Sequence, residues 1–239
     1  MQEAGSRMYV SPHQTSSFHH QTPIKIMTHL NNIQKLFSKN FVESPLLESF
    51  DVGKIYLPTG RLVACDPLIT NDMQAFSAVF PKGDFSVLLH KERESNCVAY
   101  AEIVFSDAEI TSWEMATTEN QNIKDLAEGE VFGYPVESGM GCFMDVETQI
   151  SLNELEQKLY HSKGVDFMGI YEEFFHEHFF DENGAIDQYA FLKPSEKLSG
   201  TIFGFETGYG EGFYASYVAY DITNTPVKIV TEFIEILVN

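Results

Sequence analysis

Along this chain, short apolar runs bounded by turn residues recur, the pattern of strands rather than of helices. Residues 53–57 and 61–65 are two such runs on either side of Pro58, Thr59 and Gly60. Proline presets φ and glycine permits positive φ, so these three residues predict a tight turn, and the flanking runs predict a hairpin over 52–66. A second hairpin is predicted from 85–90 and 97–105, with 91–96 as its polar loop. Further strands are predicted at 110–116, 131–136, 140–145, 201–205, 213–221 and 227–237. Along 213–221, Phe213, Ala215, Tyr217 and Ala219 share one face, while Tyr214, Ser216, Val218 and Tyr220 share the other.

The period lengthens in two places. Thr28 is placed to cap a short helix carrying Leu30, Ile33, Leu36 and Phe37, which Ser44-Pro45 would end. From Ser151 to Glu154 the sequence reads as a capping box. Leu152, Leu155 and Leu159 then form one stripe, and Gly164 ends it. A second helix is predicted over 165–180, with Phe167, Ile170, Tyr171 and Phe174 on one face and His178 a turn further on. So many aromatics need a sheet to pack against. The sum is an α+β fold, mainly antiparallel β-sheet (sandwich or barrel-like), with two helices inserted around 151–180. Residues 1–26, rich in Ser, Gln and His and without a secretory apolar core, are expected to be a flexible arm, and 27–239 a single domain.

Charge changes this picture more than composition does. The 239 residues carry a formal net charge of −20. Residues 1–100 hold nine Lys/Arg and nine Asp/Glu, so residues 101–239 carry the whole excess, and no arginine follows Arg93. Such a field repels nucleic acid and anionic lipid and speeds encounter with a basic protein. No apolar run is long enough to cross a membrane as a helix, and a cytoplasmic location is expected. Cys65, Cys97 and Cys142 are widely spaced and lie beside or within apolar runs, as buried free thiols do.

LPTGRLVACDPL (57–68), ESGMGCFMD (137–145), TGYGEGFYASYVAYD (207–221) and VTEF (230–233) stand in that order along the chain. Together they resemble the bacterial family catalogued as domain of unknown function 4241, over about residues 50–239. The resemblance implies no activity. The family pattern favours Asp where this chain has Glu211 and Trp where it has Val218.

Two of those segments repeat one phrase: Glu, then Ser or Thr, then Gly-x-Gly. Neither is a phosphate loop or a dinucleotide fingerprint, since no lysine follows and the glycine spacing differs. Either the glycines serve bends, or the turns bring together a cleft of Glu137, Asp145, Glu206 and Glu211 with Asp66 nearby. Asp181 to Asp187 has the middle of a calcium loop, but Phe179 and Ala190 fill its first and twelfth positions. His176 and His178 lack metalloprotease spacing. No cofactor and no metal site are expected, and the oligomeric state is left open.

Two function classes follow. One is a non-enzymatic binding module, of the kind an immunity protein against a basic bacterial toxin would be, with Tyr209, Glu211, Phe213 and Tyr214 as contact residues. The other is a carboxylate-dependent enzyme, in its metal-assisted form a hydrolase, drawing its acid–base groups from the five acids above.

Overall fold

The computed structural model describes residues 24–39, 42–127, 129–180, 187–197 and 200–237. Helix α1 (Ile24–Leu36) begins four residues before the expected cap at Thr28. Strands β1 (Leu47–Leu57), β2 (Leu62–Cys65), β3 (Gly83–Glu92), β4 (Val98–Val104), β5 (Ser112–Met115), β6 (Tyr134–Val136) and β7 (Met140–Asp145) follow. Helix α2 (Val146–Lys163) comes next. Strands β8 (Tyr189–Leu192), β9 (Ile202–Glu206), β10 (Gly212–Tyr214), β11 (Ser216–Tyr220) and β12 (Pro226–Glu232) complete the order.

All pairings are antiparallel. Six strands form one sheet in the order β1-β3-β4-β12-β11-β5, four form another in the order β2-β7-β9-β8, and β10 pairs with β6 as a short ribbon. Both larger sheets keep open edges, so the molecule is a sandwich rather than a closed barrel. Between the sheets, Ile55, Val87, Ala101, Ile103 and Ile229 meet Leu62, Ala64, Phe143, Phe203 and Phe205. On the outer face of the larger sheet, Ile33, Leu36 and Phe37 from α1 and the turn after it cover Tyr100, Trp113, Tyr217 and Val230. On the outer face of the smaller sheet, Leu152, Ile170, Phe175 and Phe179 cover Val63, Cys142, Met144 and Leu192.

The hairpin expected over 52–66 does not form. β1 pairs with β3, and β2 pairs with β7 in the other sheet. Pro58, Thr59 and Gly60 do reverse the chain, but they carry it from one layer to the next. Gly60 sits at φ +74°, where a Cβ would lie 2.1 Å from the Phe80 carbonyl oxygen. Both runs keep their inward faces, and both face the shared core from opposite sides.

The second correction concerns 151–180. The helix starts at Val146, capped by Asp145 rather than by Ser151, which lies buried inside it. The predicted helix over 165–180 is replaced by a 3-10 turn (Gly164–Asp166), a π-helical turn (Tyr171–Phe175) and another 3-10 turn (His176–His178). Gly169, at φ +102°, breaks any continuous helix. The aromatics still dock on the smaller sheet, as their number required. Residues 1–23 and residues 181–186 of the calcium-like segment lie outside the described residues.

Candidate functional site

The first glycine turn is built on a buried carboxylate. Asp66, almost fully enclosed, accepts hydrogen bonds from the backbone N–H of Leu68 (2.9 Å), Glu137 (3.0 Å) and Ser138 (2.8 Å). Ser138 Oγ accepts from Met140 N–H, which leads the chain into β7. Asp66 is therefore a brace for this turn. Asp66→Ala is expected to cost about 2–4 kcal/mol in urea denaturation, since three part-buried N–H groups lose their acceptor, and Asp66→Asn is expected to cost less.

The second turn joins the first through β7 and β9, where Met140 stands opposite Glu206. Thr207, 1% exposed, donates its backbone N–H and its hydroxyl to the Gly139 carbonyl, both at 3.0 Å. The same hydroxyl lies 2.8 Å from the Gly210 carbonyl. Gly139 has φ +78°, and a Cβ there would sit 3.6 Å from Gly210 Cα, so the two turns stack directly. The repeated phrase thus marks two neighbouring turns at one end of the smaller sheet.

Together they line a cavity of about 710 Å³. Its walls are Leu68, Cys97, Met140, Tyr171 and Phe179, with Ser138, Glu206, Thr207 and Tyr209 supplying polar atoms. Glu206 is half-buried, and no Lys, Arg or His stands among the described lining residues. Tyr209 is 73% exposed, and its hydroxyl donates to Glu92 Oε2 (3.1 Å), a bond that pushes the phenol pKa up.

The five acids do not converge. Asp145 is fully enclosed and accepts from Thr59 N–H, Thr59 Oγ–H, Gly60 N–H and Glu147 N–H. It caps α2 and holds the crossover turn. Glu206 alone of the five lines the cavity, while Glu137 and Glu211 are exposed beside its lining residues Ser138 and Gly210. Among the described residues, no three His, Cys, Asp or Glu side chains are placed to hold one metal ion. The expected contact residues divide as well. Phe213 is 55% exposed and lines a separate cavity of about 310 Å³. Tyr214 is buried edge-on against Phe233, with its hydroxyl on the Gly210 carbonyl, so it supports the turn from beneath.

Those turns belong to a segment with a family assignment. The family model described as a protein of unknown function (DUF4241) matches residues 55–231, well over half of the chain. The chain belongs to this family. Both glycine turns and every lining residue of the larger cavity fall inside the DUF4241 span. No curated protein and no solved structure matches the chain. Among the described residues, no helix is long and apolar enough to cross a membrane.

One polar row, buried at three of its four members and exposed at Ser49, had no counterpart in the sequence reading. Ser49, His90, Glu102 and Lys228 lie across β1, β3, β4 and β12, on the face under α1. Ser49 Oγ is 2.8 Å from His90 Nδ1, and His90 Nε2 is 2.9 Å from Glu102 Oε2. Lys228 Nζ lies 2.5 Å from Glu102 Oε1 and also donates to the Lys39 carbonyl. Burial opposes ionisation of Glu102, but the His90 hydrogen bond and the Lys228 charge outweigh it and hold the pKa below its ordinary value. With Glu102 ionised, His90 donates to it from Nε2. None of the four lines the cavity between the turns.

Proposed function

We propose that this DUF4241 chain is a non-enzymatic module that binds a basic protein at the face carrying the stacked glycine turns. The observation that carries the reading is the cavity between the turns: apolar and aromatic walls, one carboxylate, and no basic group among the described lining residues. The net charge of −20 supplies long-range attraction, and exposed Tyr209 supplies an aromatic anchor at the mouth. Such a module suits an immunity-type inhibitor that neutralises a basic bacterial toxin in the cytoplasm.

The test is affinity capture from the source cell at low and high salt, followed by Tyr209→Ala and Phe213→Ala. A basic protein is expected at low salt, with its yield reduced at high salt. Tyr209→Ala is expected to weaken it at least about tenfold without a change in melting temperature, because the side chain is exposed. Recovery of no basic protein at either salt would overturn the reading. A second reading rests on Glu206 alone: a carboxylate beside a cavity of this size can serve as a general base. Turnover by the wild type that Glu206→Gln abolishes would favour it over binding.

A further inference from the structure

We infer that the cavity between the two glycine turns is an arginine socket: it takes a guanidinium side chain of the basic partner, with Glu206 as counter-ion. This rests on the binding reading above and names the chemistry of its contact. Tyr171, Phe179 and Tyr209 give the cavity aromatic walls, on which a planar guanidinium stacks. Glu206 gives it one half-buried carboxylate, which a guanidinium can engage through two parallel N–H donors. Cation–π and bidentate contacts together select arginine over lysine, whose ammonium is a strongly hydrated point charge. The volume of about 710 Å³ exceeds one arginine side chain, so the loop that carries it enters as well.

Cys97 offers a local readout. It lines the cavity and is half-buried, whereas Cys65 and Cys142 are buried. The probes are hexa-arginine and hexa-lysine peptides, and the signal is the rate of Cys97 alkylation by N-ethylmaleimide. At a hexa-arginine concentration ten times its dissociation constant, alkylation is expected to slow about tenfold. Hexa-lysine at the same concentration is expected to protect less. Glu206→Gln is expected to weaken hexa-arginine about tenfold and to remove the preference for arginine. Glu109→Gln, an equal charge change on an exposed loop outside the cavity, is expected to leave both unchanged. Melting temperatures establish that each variant is folded.

Equal protection by both peptides would overturn the socket, as would a Glu206→Gln protein that behaves like Glu109→Gln. Either result, alongside a captured basic partner, would leave the binding reading in place. Arginine-selective protection without any captured partner would sink the binding reading and keep the socket.

Discussion

Lys228→Met is expected to destabilise the protein by about 3–5 kcal/mol in urea denaturation at neutral pH. The lysine itself contributes little of that figure. The cost lies in Glu102, which stays buried and ionised in the middle of the larger sheet beside His90. Replacing both members of the pair, as Lys228→Met with Glu102→Met, is therefore expected to recover most of the loss, because apolar residues of similar size suit a sheet interior. The pH dependence follows from the sign of the shift. The Glu102 pKa is depressed in the folded state, so its contribution is complete above its ordinary value of 4.5 and is lost as pH falls through the folded value. The gap between wild type and Lys228→Met is accordingly expected to narrow below pH 4.5. A gap that does not change across that range would mean the lysine acts by packing and not by charge.

Asp145→Ala is expected to cost a comparable amount, about 3–5 kcal/mol, through lost hydrogen bonds alone. Its carboxylate is the shared acceptor of the α2 cap and of the turn that carries the chain between sheets. Removing it leaves the Thr59 and Gly60 N–H groups without an acceptor in an enclosed site and uncaps an 18-residue helix. Asp145→Asn keeps one acceptor oxygen and is expected to recover roughly half of the loss. Urea denaturation of the three proteins ranks them, and equal stability of all three would show that the turn and the cap are held by other contacts.

Local signals were legible, and non-local ones were not. The alternation in 213–221 placed Ala215, Tyr217 and Ala219 on one face and Tyr214, Val218 and Tyr220 on the other, as the two core faces require. The hairpin of β3 and β4 was equally plain, since its partners are adjacent in sequence. The runs around Pro58, Thr59 and Gly60 looked no different, yet they separate, because β1 and β2 gain more by closing a core from two sides than by pairing with each other. The cap at Asp145 was hidden by its place as the last residue of β7, where one carboxylate ends a strand and starts a helix.

The site divides in the same way. The repeated Glu-[Ser/Thr]-Gly-x-Gly phrase named both turns, but their stacking depends on the pairing of β7 with β9, some sixty residues apart. Burial then separates the acids: Asp66 and Asp145 are absorbed by backbone N–H groups, and Glu206 remains in the cavity. The row from Ser49 to Lys228 did leave a trace, Glu102 and Lys228 as charges inside the apolar runs of β4 and β12. Only the sheet order and register show that these two charges meet diagonally across β4 and β12.

The place of β12 has a consequence for synthesis. It lies between β4 and β11, inside the larger sheet, and follows both of them in the chain. Until residue 232 has emerged, β4 and β11 each present an unpaired edge on the nascent chain. That sheet therefore cannot close before β12 is made, and the interval before it is when the growing polypeptide is exposed to chaperones and to association with its own copies.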